Sequence, residues 1–440
     1  MSFKGMLART SAISVATSAI SVAGLFFMPG SASGWQGAWA GAGQAPVSAP
    51  ATTLASAPAA TLASAPASAA AAAATLAAGR PTVPSPGRSS SLQAVTCVSA
   101  RDCWAVGSYE TPRAELNEAL HWNGSRWSRI ATPDHGTGPG AHSTLAAVAC
   151  SSARNCWAVG SYRSGTTALN QALHWNGTRW SRIATPDPGD AANGAHSLNG
   201  VSCVSRADCW AVGSHTSDRG IGRNAALRWN GQSWSAVGTP NPGANVAGEG
   251  RRLSGVTCIS AADCWAVGGY GHGTGAGRSE ILHWDGTQWL KVAAGRSAAG
   301  DSGALTGVAC TSAANCWTVM GQHSAKGAVH WNGAGWSAVA TPGGGELNGV
   351  ACASAASCMS AGNYDGPGAL LNEVLRWNGA SWSAPAVPEP GGTGAGAQHR
   401  LAAVACSSAA RCWAVGSYWD SSAAARRNVV LRWNGRTWSS

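Results

Sequence analysis

Cysteine is the residue with the widest chemical repertoire in this chain, and all fourteen copies fall into seven C-x5-C units. These are Cys97/Cys103, Cys150/Cys156, Cys203/Cys209, Cys258/Cys264, Cys310/Cys316, Cys352/Cys358 and Cys406/Cys412. A catalytic thiol needs an activating base and an orienting group, and a nucleophile repeated in every unit has no use for its copies. Structural zinc sites space their cysteines two to four residues apart and complete the shell with His or a second pair, whereas no His keeps a fixed distance from these. An even count behind a leader favours the third use, one local disulfide per unit. Closing a loop of this size stabilises the fold by about 2.4 kcal/mol per bridge in the chain-entropy account. Such bridges are expected to act within their own blades, each closing a hairpin, with cohesion between blades left to packing.

The remaining chemistry-bearing residues also recur rather than cluster. Glu118, Glu280 and Glu373 share one slot of the repeat, and His121, His174, His283 and His330 share another with Arg228, Arg376 and Arg432. A glycosidase needs two carboxylates placed across one bond, and nothing singles out such a pair. The basic slot shows no repeated acidic partner nearby in sequence, so these residues read as edge residues and not ligands. No metal site and no cofactor are expected. The leading reading is a non-catalytic exported binding or surface-interaction module. Its alternatives are a carbohydrate-active lyase or glycosidase built from scattered loops, and a purely structural surface protein.

The elements that position these residues are short. The first cysteines of successive units lie 53, 53, 55, 52, 42 and 54 residues apart, a period typical of propeller repeats. Each period holds four strand-like pieces; in the second they are "LAAVACSS", "CWAVGSY", "NQALHWNG" and "RWSRIATP". The first two are joined by the Cys loop, with Asp102, Asn155, Asp208, Asp263 and Asn315 as turn-formers, and the last two by "WNGxxW". The fold class expected is all-β: a seven-bladed β-propeller with four antiparallel strands per blade, preceded by a signal peptide and a disordered linker. The divisions are residues 1–40 as signal peptide or anchor, 41–79 as Ala/Pro/Ser/Thr-rich linker and 80–440 as propeller.

Over residues 92–440 the order "WAVGSY", "ALHWNG", "RWSRIATP" resembles kelch-type repeats, and more closely the Cys/Trp-rich repeat proteins exported by high-GC bacteria. The "WNGxxW" turn also resembles the Asp-box turn of sialidase-like propellers. These resemblances imply the propeller fold and no particular function.

Strand order alone sorts the loops. Those after strands one and three share a face and are constant in length; those after strands two and four share the opposite face and vary. From the Trp slot after the second Cys to the next Trp the counts are 18, 18, 19, 19, 14, 18 and 20. The variable face is therefore the candidate working face. Apart from Trp35 and Trp39 near the N-terminus and Trp419, the tryptophans are repeat positions and read as the buried residues that hold blade to blade. The five tyrosines all occupy one slot at the end of strand two, on the variable face. The candidate ligand-binding residues are Tyr109, Tyr162, His215, Tyr270, Tyr364, Tyr418 and Trp419.

Lys4 and Arg9 precede an apolar run over residues 10–27, a secretory leader with an uncleaved anchor as the alternative. The expected location is secreted or extracellular. The net charge of +10 is spread as scattered arginines, which fits attraction to an anionic cell-envelope polymer better than nucleic acid. The expected partners are a saccharide, such a polymer or a surface protein, with no nucleic acid and no membrane contact by the propeller itself. The seventh repeat stops at "RTWSS", while "TVPSPG" before the first repeat matches "GTPNPG" after the third. Residues 80–87 are therefore expected at the outer edge of blade seven, closing the ring.

Overall fold

The computed structural model describes residues 83–440 apart from 189–193, 218, 245–247, 273–276, 295–302 and 323–324. The leader and linker readings lie outside the described residues. The chain divides into two units, residues 1–69 and 70–440, and the described residues all belong to the second.

The described chain folds as a seven-bladed β-propeller. Blade one is the meander β1 (Ser89–Ser99), β2 (Asp102–Glu110), β3 (Glu115–Trp122) and β4 (Trp127–Arg129). Six more four-stranded sheets repeat the same order. The inner strand of each blade packs on the inner strand of the next, and the last closes on the first.

All seven cysteine pairs are disulfides, each linking directly opposed residues of its own hairpin, and no cysteine among the described residues is free. Their surroundings modify the reading that they act only within blades. The first cysteine of each pair is half-buried, but Cys103, Cys156, Cys209, Cys264, Cys316, Cys358 and Cys412 are at most 1% exposed and belong to the hydrophobic core. Each packs against the blade before its own. Cys103 shares a cluster with Trp413 and Val415 of blade seven, Cys156 with Trp104 and Val106 of blade one, and Cys209 with Trp157 and Val159 of blade two. Cys264, Cys316 and Cys358 lie with Trp210, Trp265 and Trp317 in the same way, and Cys412 lies with Met359. The reason is the two-residue period of a strand: in β2 Cys103 faces the preceding blade and Trp104, its neighbour, the following one. The bridges therefore act between blades as well as within them.

The other hairpin of the same face is a four-residue loop. Its Asn123 side-chain oxygen accepts the amides of Ser125 and Arg126, and Gly124 takes φ +96°. Only glycine adopts that angle without strain, which is why the glycine recurs in every blade. The two hairpins are clipped together: the Trp122 indole N–H donates to the Ala100 carbonyl at 3.3 Å, and its repeat equivalents do the same.

The basic slot also corrects the sequence reading. His121 Nε2 lies 2.8 Å from Asp102 Oδ1, His283 2.9 Å from Asp263, and Arg228 holds Asp208 at 3.1 Å. His174 and His330 meet Asn155 and Asn315 in the same way. The partners are the turn-formers of the Cys hairpin. They sit on the neighbouring strand, so linear spacing hides the pair.

Tryptophan joins blade to blade. Trp104 of blade one packs against Trp175 and Trp180 of blade two, with centroids 4.7 and 5.1 Å apart. The same trio recurs around the ring, ending with Trp413 of blade seven against Trp122 and Trp127 of blade one. Blade six substitutes Met359, which joins the cluster holding Trp433 and Trp438.

A polar clasp parallels the tryptophans at the other end of the third strand. Asn117 donates its side-chain amide to the Pro133 carbonyl and its main-chain N–H to Asp134, and the side chains of Asn170, Asn224 and Asn372 repeat the pattern. In blade seven the partners come from the other end of the chain: Asn428 Nδ2 donates to the Pro84 carbonyl at 2.8 Å and its N–H to Ser85 Oγ at 3.1 Å. Val83 packs into the core between blades seven and one. The segment before the first strand thus occupies the place that the Thr-Pro turn fills in other blades, and the ring is fastened by both ends of the repeat array.

Candidate functional site

The innermost strands build a large central cavity. Each carries a β-bulge just after its buried Leu, as between Leu92 and Ala94 or Leu253 and Gly255. The opposed position on strand two is Gly in six blades, because a Cβ on Gly107 would collide with the Ser91 carbonyl. The seven bulged residues, Gln93, Ala146, Asn199, Ser254, Thr306, Asn348 and Ala402, ring a space of about 700 Å³. Three of them also tie blade to blade: Asn199, Thr306 and Asn348 donate to the carbonyls of Leu253, Leu347 and Leu401.

The cavity opens on the variable face, where His215 and Tyr270 stand at the ends of their second strands. Arg252, Arg400 and Glu346, each directly before a repeat Leu, complete the charged lining with Arg251. Arg252 Nη2 donates to Asn199 Oδ1 at 3.1 Å. Burial, and then the like charge of Arg400, lower the Arg252 pKa. Arg251 turns the other way and is fully buried, donating to the Gly222 carbonyl at 2.9 Å and to Glu249 at 2.9 Å. Burial also lowers the pKa of His215, helped by His196 and Arg223, which keeps the imidazole neutral near pH 7.

The other residues singled out in the sequence are dispersed. The Tyr109 ring carries the Arg129 guanidinium 4.2 Å above it and lies against Gly87. Tyr162 stacks on His135 at 3.4 Å, and Tyr418 lies against Gly391 beside His399. These three rings pack beneath the connection arriving from the preceding blade, as Tyr270 does beneath Gly243, with the Lys291 ammonium 5.3 Å from its ring centre. Tyr364 lines a separate cavity of about 320 Å³ and, like Trp419, is among the few large side chains that are exposed. Sequence reasoning missed Arg252, Arg400 and the bulge ring. The available signal was a charge beside an otherwise apolar-core Leu, in a slot filled by Ser91, Thr144, Ser197 and Ala304 elsewhere.

The glutamates of the recurrent strand-three slot are buried. Glu118 is fully buried, accepts from Asn428 Nδ2 at 3.0 Å, and has its pKa pushed up to about 8, chiefly by burial. Glu280, held by Asn224 at 2.7 Å, is pushed up to about 7 for the same reason. In blade two the slot holds Gln171, whose amide donates to the carbonyls of Thr144 and Ser161. A neutral carboxyl suits such a slot and a carboxylate does not. With the folded pKa above the unfolded value of 4.5, the stabilisation is complete below about pH 4.5 and is lost as pH rises through about 8. Glu118→Gln should therefore match the parent in acid and melt several degrees higher at pH 9, measured as Tm against pH. Parallel curves for the two proteins would refute the neutral-carboxyl assignment.

No protein-family model matches the chain, and no curated protein matches it in sequence. Solved structures match in fold. A polysaccharide lyase of family PL25, an ulvan lyase, is 10% identical with a TM-score of 0.50, covering 80% of this chain and 96% of its own. The GH74 xyloglucanase from Xanthomonas campestris is 14% identical with a TM-score of 0.50, over 76% of this chain and 53% of that one. YCF48 bound to D1 peptide is 13% identical with a TM-score of 0.47, over 80% of this chain and 94% of that one. At such identities the likeness is one of architecture alone: this chain is a disulfide-bonded, Cys/Trp-rich seven-bladed β-propeller.

Proposed function

We propose that the propeller is a non-catalytic binding module of an exported protein, and that it takes a saccharide or cell-envelope polymer into the central cavity from the variable face. The observation that carries this reading is the lining. Amides, hydroxyls and glycine backbone surround about 700 Å³ with no branched aliphatic side chain among the described residues, a surface made for ligand hydroxyls and poor for a peptide's apolar anchors. Seven disulfides fit an oxidising, extracellular setting. Among the described residues no helix is long and apolar enough to cross a membrane. A longer polymer would also meet the exposed rings of Tyr364 and Trp419 on the same face.

A second reading, a lyase, is favoured by one feature: a neutral imidazole, a phenol and two guanidiniums share the cavity, the groups needed for proton abstraction beside an acidic sugar. A glycan array separates the two. Binding without turnover supports the module, and growth of the ultraviolet absorbance of an unsaturated product would establish the lyase. Tyr270→Ala should weaken retention about tenfold, the loss of roughly 1.4 kcal/mol of contact, with little change in melting temperature. Unchanged retention by a folded variant would place the ligand elsewhere.

A further inference from the structure

Arg252 and Arg400 come from blades four and seven, yet both line one cavity. Among the described residues no carboxylate pairs with either. Arg252 has a neutral partner, Asn199 Oδ1, which fixes one edge of the guanidinium and leaves further N–H groups for the cavity. Both arginine side chains are exposed to that space, and two like charges facing one cavity repel each other and so oppose folding. The fully buried Arg251 next door shows the contrast, since it is matched by Glu249 and by main-chain carbonyls. Glu346 is the single carboxylate in the described lining, against the guanidiniums of Arg252 and Arg400.

We propose that the cavity is an anion site in which Arg252 and Arg400 together clamp one carboxylate or sulfate of an acidic saccharide. Guanidinium groups bind such oxyanions through paired N–H donors, and an anion between them turns mutual repulsion into two attractions. The bulge ring supplies the rest of the recognition: the Ser254 hydroxyl and the Gln93 amide border the same space and suit sugar hydroxyls. The polar character of that lining favours a sugar over a peptide C-terminus. The proposal rests on the binding-module reading for its choice of sugar, while the clamp itself stands on the two arginines.

The test compares the full chain with its Arg252→Gln/Arg400→Gln double variant, using inorganic sulfate as the first probe. Thermal unfolding is followed in sodium sulfate and in sodium chloride at matched ionic strength. A ligand that binds only the folded state raises the transition, so the parent should show a sulfate-specific rise that the variant lacks. The general salting effect of sulfate is common to both proteins and cancels. In low salt without sulfate the variant should melt at or above the parent, since a repulsion has been removed. On a glycan array the parent should retain uronate-bearing or sulfated saccharides at least about tenfold better than neutral ones, and the variant should lose that preference.

An equal sulfate response in parent and variant overturns the clamp. Retention of neutral and acidic glycans alike by both proteins also overturns it and leaves the binding module standing. A variant-sensitive sulfate response with no glycan retained, or with capture of peptide carboxylates instead, upholds the clamp and overturns the saccharide reading.

Discussion

Replacing Trp413 by Ala should cost about 3–5 kcal/mol of folding stability, the range for truncating a large buried aromatic. The indole sits in the interface between the last blade and the first, 4.8 Å from the Trp122 ring and 5.2 Å from that of Trp127, edge-on to the latter. The other six interfaces join blades that are consecutive in the chain. This one joins residues from opposite ends of the repeat array, so its loss exposes two blade faces with no short connection to hold them. The protein supplies its own control, because blade six uses Met359 in the same slot against Trp433 and Trp438. Trp413→Met should therefore recover much of the loss, as a flexible thioether chain fills the gap between two tryptophans. Equilibrium urea unfolding measures both. A Trp413→Ala variant that unfolds with the parent would show that the strap at Pro84 and Ser85 closes the ring unaided.

Reducing the seven disulfides should have the larger effect. At about 2.4 kcal/mol each in the loop-entropy account, their sum rivals the roughly 5–15 kcal/mol of net stability that a domain normally has. The fully reduced chain is expected to lose its cooperative transition at ordinary temperatures. Removing one bridge, as in Cys97→Ala/Cys103→Ala, should cost only about 2–4 kcal/mol, the restraint on a single hairpin plus the packing of the Cys103 sulfur against blade seven. Burial of Cys103 and its six equivalents should also make reductant act slowly on the native protein and quickly after mild denaturant. The check is thermal unfolding with and without dithiothreitol, alongside peptide mapping without reduction. A reduced protein that melts with the oxidised one would refute the predicted loss.

Much of this is legible from local pattern. The cysteine pairs, the Asn-Gly turns and the strand order are set within a few residues, and each is repeated around the ring, so the signal accumulates. The match of "TVPSPG" to "GTPNPG" likewise puts the N-terminal segment on blade seven, because the clasp it joins is a repeated Pro carbonyl bound by a repeated Asn. The tyrosine slot is legible as a slot, but its rings have separate fates. Tyr109, Tyr270 and Tyr418 each lie against a glycine of the arriving connection, yet of these three Tyr270 alone borders the central cavity, while Tyr364 is exposed. That depends on connections of varying length, which carry no periodic signal.

What the sequence by itself determined is the ring and its fastenings: hairpins, disulfides and tryptophans, whose partners are set by a fixed count along the chain or by a fixed step to the next repeat. What only the tertiary structure decided is the interior. That the Cys103 sulfur is core between two blades follows from which side of the sheet the preceding blade covers. The bulge that turns Gln93 and Asn199 toward the centre shows only in the strand pairing; the glycine opposite it recurs along the chain without telling what it faces. Arg252 and Arg400 line one cavity only because closing seven blades carries their strands around to one axis. Separation along the chain says nothing about distance across a ring, and a charge that looks like a surface residue in a strand becomes a cavity wall once the circle closes.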